Sequence, residues 1–312
     1  MLTVAERLAD ALGEEQWSCI DSCPAEWAAV PMPHGPITVG IEGGSVKAPG
    51  EQGWFDVMAG KSLLAFTRGA ESQEPVSSTC GSFVQTSDQQ PQRRLCEGLQ
   101  APGHQRHQPI TCLSDGGDTV RELQRYLNPQ AEHLFDWCHL TMRWTVLQQT
   151  ATGLPQTTCD DEGTYEIREP VRRSREQLKG LLWHGNVYQA LPVVQSVAMD
   201  LEVAVVTSGD GTARKLLKAV EAFHTDIENH AGFMPNDGER YHHGERISTG
   251  FVESTVNQVV STRMVKKPQM PWTKRGAHLL LQIRTRVLND AWEEMCRSWY
   301  PGFRSYTPRV AA

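Results

Sequence analysis

Hydrophobic and polar positions follow two different patterns along the chain. Between residues 36 and 113, short runs rich in valine, isoleucine, phenylalanine and threonine are bounded by glycine and polar clusters, which is typical of β-strands. Beyond residue 118, apolar positions recur mostly every three or four residues, which indicates helices. The order of the two patterns predicts an α/β protein with a sheet of mixed strand direction and a helical insertion.

Turn-forming residues divide the first pattern into individual strands. The run ITVGIEGGSVKA (37–48) predicts two strands joined by a hairpin turn at Gly43-Gly44. GWFDVMAGKSLLAFT (53–67) adds β-type sequence with a break expected at Gly60, and further strands are expected in GSFVQT (81–86) and over 110–113. Helices are expected over residues 92–99, 118–127, 141–150, 170–183 and 212–224, followed by two C-terminal helices.

One predicted helix carries an unusual polar stripe. In ISTGFVESTVNQVVS (247–261) the helix is expected to start at Ser248 or Thr249, because both residue types favour the N-cap. Glu253, Asn257 and Ser261 then recur at intervals of four, beside valines that supply packing. A solvent face usually carries lysine and glutamate, so this stripe is predicted to border a site. The alternative is that Glu253 only complements the helix dipole.

Two aspartates and two glycines stand where a strand passes into a helix, in SDGGDTVREL (114–123). Asp115 belongs either to a plain turn or to a metal site at the strand tip, and Asp118 is expected to cap the helix. Glu42, at the predicted hairpin turn, has a similar place on another strand. Together with the helical Glu253, these carboxylates are sufficient to hold two Mg²⁺ ions, about 3.5–4 Å apart, that clamp a phosphodiester.

Composition limits the class of protein. The chain has 312 residues, 39% hydrophobic and 21% charged, which fits a soluble globular protein of one large domain or two modest ones. It has no run of about eighteen apolar residues, so no membrane span is expected, and its N-terminus lacks the pattern of a secretory signal. Cys19 and Cys23 have no second pair at zinc-site spacing, so the cysteines are expected to be reduced thiols in a cytoplasmic protein.

Positive charge is segregated, although the net charge is −7. Between Ser254 and Asn289 there is no Asp or Glu, while acids concentrate at residues 160–176 and 226–245. This segregation predicts a positively charged surface that binds a polyanion. The alternative is that the charges cluster by chance on a solvated helix. The basic residues of this stretch are Arg263, Lys266, Lys267, Lys274, Arg275, Arg284 and Arg286.

Two long segments resemble the ISKra-type bacterial insertion-sequence transposases. They are ITCLSDGGDTVRELQRYLNPQAEHLFDWCHLTMR (110–143) and ISTGFVESTVNQVVSTRMVKKPQMPWTKRGAHLLLQIRT (247–285). FDVMAGKS (55–62) and LLWHGNV (181–187) also look like family segments, and the likeness extends from about residue 36 to residue 303. Members of this family are DDE enzymes related to the Mutator group, so the resemblance implies a ribonuclease H-like catalytic fold.

The resemblance also implies roles for individual residues. Glu42, Asp115 and Glu253 match the three catalytic acids and are the expected ligands of Mg²⁺, with Mn²⁺ as a substitute. Asp136 and His139 match an Asp-x-x-His signature between those acids and, with Asn257, are expected in supporting positions. The residues expected to bind DNA, at the transposon ends and the target, are Arg263, Lys266, Lys267, Lys274 and Arg275.

A division of the chain follows from the same likeness. The ribonuclease H-like core is expected over residues 36–156 and 246–303, interrupted by a mainly helical insertion over 157–245. Residues 1–35 are expected to be a remnant N-terminal helical region. The expected activity is Mg²⁺-dependent DNA strand cleavage and strand transfer in the bacterial cytoplasm, on the nucleoid, with self-association left open.

Two features depart from the family pattern. The first family acid is an aspartate, in a Gly-Ile-Asp-Gly-Gly context, whereas this chain has Glu42. The extra methylene displaces the carboxylate by about 1 Å, which can cost roughly two orders of magnitude in rate. Few residues precede the first strand, so an N-terminally truncated copy is expected. The alternatives are an inactive relic that at most binds DNA or an intact transposase, and a stand-alone nuclease of the same fold.

Overall fold

The computed structural model describes residues 37–50, 53–64, 78–84, 109–160, 163–209, 211–265 and 270–303. The predicted N-terminal helical region, the predicted helix at 92–99, and Lys266 and Lys267 lie outside these residues. Within them the protein is α/β, as the sequence predicts, with a five-stranded mixed sheet and a larger share of helix.

The strands of the main sheet lie in the order β3-β2-β1-β4-β5. β1 (Ile37–Lys47), β2 (Trp54–Leu64) and β3 (Ser78–Val84) are antiparallel neighbours. β4 (Ile110–Ser114) and β5 (Glu132–Phe135) extend the sheet parallel to β1, and α1 (Asp118–Leu127) connects them. β6 (Thr157–Asp160) and β7 (Gly163–Glu166) form a separate antiparallel pair.

The first hairpin differs from the prediction. β1 continues through Gly43 and Gly44 in register with β2, and β2 continues through Gly60. The chain reverses instead around Gly50 and Gly53, which both have positive φ angles. The prediction was wrong because glycine also adopts extended backbone, and here both glycines pair with β2 as strand residues.

Different helices cover the two faces of the sheet. Ile37, Val39 and Ile41 of β1 share an apolar cluster with α1 on one face. Because successive strand residues alternate, the even-numbered positions of β1 point to the other face. That face is covered by α7 (Gly250–Val256), by the π-helix that continues it (Asn257–Val265) and by α8 (Lys274–Leu288), after which comes α9 (Trp292–Trp299).

Between β5 and α7 the chain forms a helical region. Its α-helices are α2 (Trp137–Thr152), α3 (Arg168–Trp183), α4 (Val187–Ser208), α5 (Gly211–His230) and α6 (Asp237–His242). The first four share an apolar core in which Leu201, Leu216 and Phe223 are fully buried. α2 contributes Trp144 and Leu147 to this core, so the helical packing begins before residue 157.

α4 is long and apolar enough to cross a membrane, with a mean hydropathy of 1.5 over Val187–Thr207. Length and composition are weak grounds for a span, because the core helix of a soluble protein passes the same test. One side of α4 is buried in the helical core through Ala190, Val194 and Leu201. The rest of this stretch is partly or fully exposed, since 28% of it is buried.

The helix that carries Glu253 changes its geometry along its length. It is α-helical to Val256 and a π-helix over Asn257–Val265, so the expected single α-helix is wrong beyond Val256. Glu253 and Ser261 are half-buried, whereas Asn257 is exposed. π-Helical turns are rare and are frequent at functional sites.

Side chains from α8 and its C-cap close the outer edge of β3. The Gln282 amide donates to the Ser82 carbonyl at 2.7 Å, and His278 Nδ1 accepts from the N–H of the last β3 residue at 3.4 Å. Asn289 accepts from the Cys80 N–H at 2.9 Å and donates to the Cys80 carbonyl at 2.8 Å. Alternate residues of β3 therefore bond side chains where a neighbouring strand would offer its backbone.

Candidate active site

Glu42 lies between two glycines on the face of β1 that α7 covers. A Cβ at Gly40 would lie 2.0 Å from Val252 Cγ2, so any side chain there would collide with α7. A Cβ at Gly44 would lie at ordinary contact distance, 3.6 Å from the nearest valine. The bare backbone at Gly40 therefore lets α7 approach β1 closely, and it brings Glu253, the neighbour of Val252, to the side where Glu42 lies.

Glu42 lies within β1, still paired with β2, just beyond the point where β1 stops pairing with β4, and Asp115 follows β4 at the same level. β1 and β4 run parallel, and their pairing ends at Gly40 and Leu113. Two residues further along each chain lie Glu42 and Asp115, so the register places them side by side. The charge of Asp115 does act on Glu42.

A tight turn holds the loop that carries Asp115. Ser114 Oγ accepts from the Gly116 N–H at 3.2 Å, and Asp115 Oδ1 accepts from the Gly117 N–H at 3.2 Å. Gly116 has a φ of 84°, which residues with a side chain rarely adopt. Asp115 is therefore a turn residue that also borders the site. The predicted N-cap role of Asp118 is wrong, because Gly117 is the N-cap of α1 and Asp118 lies in the first turn.

Three further acids act electrostatically on Glu42. Burial raises the pKa of Glu42, the nearby Thr249 side chain lowers it in part, and the charges of Asp115, Asp136 and Glu253 raise it further, so that the net pKa is about 7. The four acids belong to β1, the loop after β4, the start of α2 and α7. The structure therefore brings together the three acids matched to the catalytic positions, with Asp136 beside them. Clustered carboxylates with a perturbed pKa are a frequent feature of functional sites.

Asp136 is buried and fully hydrogen-bonded. As the N-cap of α2 it accepts from the backbone N–H of Cys138 at 2.9 Å and of His139 at 3.2 Å. It also accepts from the Thr249 N–H at 3.0 Å and from the Thr249 hydroxyl at 2.6 Å. Four donors thus occupy a carboxylate in a residue that is 1% exposed. Asp136 therefore joins α2 to α7 and supports the site without offering free oxygens to a ligand.

Cys138 contacts the site from the first turn of α2. Its thiol lies 3.9 Å from Glu253 Oε1 and donates a weak hydrogen bond to it. Burial and, to a lesser extent, the nearby carboxylates raise the pKa of the Cys138 thiol to about 11. The thiol is therefore neutral at neutral pH. Cys80, Cys112 and Cys296 are free thiols as well.

His139 contacts the helical region. Its Nε2 lies 3.4 Å from Asp226 Oδ2 on α5, and the same carboxylate also lies near His230. The His139 ring packs edge-on against Phe135, with ring centroids 5.4 Å apart. The two residues of the Asp-x-x-His signature therefore bind different parts of the molecule, since the aspartate holds the start of α7 and the histidine holds α5.

Sequence reasoning missed several residues near the site. Thr249 was expected only as an N-cap, but its side chain makes no capping bond and reaches Asp136 instead. Asp237 is 2% exposed, and burial raises the pKa of its carboxyl to about 7. Asp226 and His230 fell in a segment noted only for its concentration of acids. Their four-residue spacing on a helix was the one available signal that they pair.

Three of the predicted DNA-binding residues are exposed on the helices that cover the acid-bearing face of the sheet. Arg263 lies on the π-helix, and Lys274 and Arg275 begin α8. Lys266 and Lys267 lie in the segment between these helices and outside the described residues. The described part of the basic stretch therefore borders the same side of the sheet as Glu253.

The donor chemistry of the site fits a hard divalent cation, because Glu42, Asp115 and Glu253 offer carboxylate oxygens. A bound cation would also offset the cost of ionising Glu42 among like charges. In the part of the chain that the structure describes, no three His, Cys, Asp or Glu side chains converge at metal-ligand distances. Metal binding would therefore require these side chains to move together.

The chain matches no family model and no curated protein. The grouping of Asp115 and Glu253 around Glu42 is therefore the main structural support for a function.

Proposed function

We propose that this chain is the catalytic domain of a DDE-type, ISKra-type insertion-sequence transposase, which cleaves DNA and transfers strands. The observation that carries the proposal is the electrostatic grouping of Asp115 and Glu253 around Glu42, although the three are far apart in the sequence. The mixed sheet, the helices on both faces and the helical region before α7 support the ribonuclease H-like architecture that the resemblance implies.

The acids and their supports have distinct tasks in this proposal. Glu42, Asp115 and Glu253 would hold Mg²⁺, or Mn²⁺ in its place. When bound, the metal ions would activate a water nucleophile and stabilise the charge of the scissile phosphate. Asp136 holds the start of α7 through Thr249, and it thereby keeps Glu253 on the face of the sheet where Glu42 lies.

DNA would contact the basic stretch beside these acids. Arg263, Lys274 and Arg275 are exposed and suited to phosphate contacts, and Lys266 and Lys267 add two positive charges between them in the sequence. Phosphate contacts position a duplex without reading its sequence. This surface would therefore hold transposon ends and target DNA, while the acids act on the strand.

A second candidate is an inactive transposase relic that at most binds DNA or an intact transposase. Glu42 favours it, because its side chain is longer than the aspartate of the family. This difference in length predicts weak cleavage by the chain as it stands.

Nicking of pre-formed DNA ends in Mg²⁺ or Mn²⁺ distinguishes the two candidates. The proteins compared are the unsubstituted chain, Glu42→Asp, and Glu42→Asp combined with Asp115→Ala. We expect weak cleavage from the first, more from the second, and none from the third, because aspartate restores the reach of the first acid. Cleavage by the double variant at the rate of Glu42→Asp would contradict the catalytic role of Asp115. If none of the three proteins cleaves DNA, the result favours the inactive relic.

A further inference from the structure

The loop that carries Asp115 is anchored from the helical region. His230, the last residue of α5, places Nε2 at 3.4 Å from the carbonyl oxygen of Gly116, the residue directly after Asp115. A Cβ at Gly116 would lie 2.2 Å from that nitrogen. The contact therefore depends on glycine at this position, both for its positive φ and for the space that the imidazole ring occupies.

His230 is itself held in place. Its Nδ1 lies 2.8 Å from the carbonyl oxygen of Asp226 and 3.5 Å from Oδ1 of the same residue. The ring stacks on Phe135, the last residue of β5, with centroids 4.4 Å apart. Both ring nitrogens thus face oxygen acceptors, and the doubly protonated ring is the form that donates at both. Hydrogen bonding to Asp226 raises the pKa of His230, which favours that form.

Asp226 connects this anchor to the signature histidine. Its Oδ2 lies 3.4 Å from His139 Nε2 and 3.7 Å from Arg143 Nε, and the side chain is 12% exposed. Burial alone would raise the pKa of Asp226, but the neighbouring His139, His230 and Arg143 hold it well below its usual range. A charged carboxylate therefore lies between two histidines, one at the start of α2 and one against the loop of Asp115.

We propose that His230 is a positioning residue of the site: held by Asp226, it fixes the Gly116 carbonyl and thereby the direction of the Asp115 carboxylate. The inference rests on the proposed function, because it treats Asp115 as a metal ligand. Through His230, α5 of the expected insertion contributes to the site together with the sheet and α7. Supports of metal ligands typically change metal affinity by about 10–100-fold when they are removed.

The test compares substitutions at two histidines of α5. His230→Phe keeps a ring that stacks on Phe135 and removes both nitrogens, and His224→Phe is the matched control on a partly exposed side of the same helix. The measurements are the amide ¹H–¹⁵N resonances of Gly116 and Gly117, Mn²⁺ affinity by calorimetry, and Tm. We expect His230→Phe to shift both resonances and to weaken Mn²⁺ binding about tenfold or more, while the control leaves both unchanged.

A third variant separates positioning from packing. His230→Gln retains a side-chain donor, so it is expected to recover part of the Mn²⁺ affinity. Unchanged glycine resonances in His230→Phe overturn the proposal. It is also overturned if, in His230→Phe and His230→Gln, the loss of Mn²⁺ affinity is proportional to the loss of Tm. If no protein binds Mn²⁺ but the resonances still shift, the proposed function fails and the anchoring of the loop by His230 stands.

Discussion

Thr249 donates both its backbone N–H and its hydroxyl to the Asp136 carboxylate, at 3.0 and 2.6 Å and across 113 residues of sequence. The same carboxylate caps α2. One buried side chain therefore determines where two helices begin, and the second of these helices carries Glu253. The positions of the candidate acids thus depend on a residue that itself has no free oxygen for a ligand.

Asp136→Ala should destabilise the protein far more than Thr249→Val. The alanine variant leaves four donors without their acceptor, so we expect a loss of about 3 kcal/mol or more in the free energy of unfolding. Thr249→Val removes only the hydroxyl and keeps the backbone bond, so we expect about 1 kcal/mol. Urea unfolding measures both values, and equal losses would show that the Asp136 contacts with the backbone contribute little.

Gly40→Ala should displace α7, whereas Gly44→Ala should not. The new methyl group at Gly40 would lie 2.0 Å from Val252 Cγ2, and the one at Gly44 would meet its nearest neighbour at 3.6 Å. Overpacking of this kind costs about 1–3 kcal/mol. Unfolding experiments on both variants measure the difference. Val252→Ala should rescue Gly40→Ala in part, and a failure of this rescue would mean that the helix does not lie against Gly40 as described.

Glu42→Gln should change how stability depends on pH. The pKa of Glu42 is raised from 4.5 to about 7 in the folded protein, so folding takes up a proton between these values. The stability of the protonated form is therefore fully present below about pH 4.5 and is lost as the pH rises to about 7. At about 1.4 kcal/mol per pKa unit, the loss is on the order of 3 kcal/mol.

Glutamine cannot ionise, so the variant should lack this loss. Urea unfolding in a buffer with a metal chelator, at several pH values across the window, measures the stability difference between the two proteins. We expect the free energy of unfolding of the unsubstituted protein to fall steadily relative to that of Glu42→Gln as the pH rises. A difference that stays constant across the window would contradict the raised pKa.

Replacement of Lys266, Lys267, Lys274 and Arg275 by alanine should weaken DNA binding and reduce its dependence on salt. Each lost phosphate contact lowers the slope of log K against log salt by about 0.9 for duplex DNA. The control is a variant with the same loss of charge on exposed residues of α3 and α5, namely Arg172, Arg173, Arg214 and Lys215. Fluorescence anisotropy across a salt series measures the slopes. An equal reduction in both variants would assign the effect to net charge.

The sequence predicted the local features better than the contacts between them. The strand before Asp115, the helix after it and the helix start at Thr249 follow from apolar spacing and capping preferences, and the structure has them. The turn at Gly43-Gly44 was wrong because local rules do not contain β2, which pairs with both glycines as ordinary strand positions. The partners of Asp136 and Asp226 could not be predicted for the same reason, because each contact joins elements that only the tertiary fold brings together.

The side chains that bond to β3 have a consequence for how the chain behaves before it is fully folded. An open strand edge is a template on which a second molecule can add a strand. Until α8 docks, the outward backbone groups of Cys80 and Ser82 are such a template, and Gln282 and Asn289 remove it by binding them within the same molecule. Docking of α8 thus blocks the addition of a strand from a second molecule at this edge. A delay in this docking would favour aggregation.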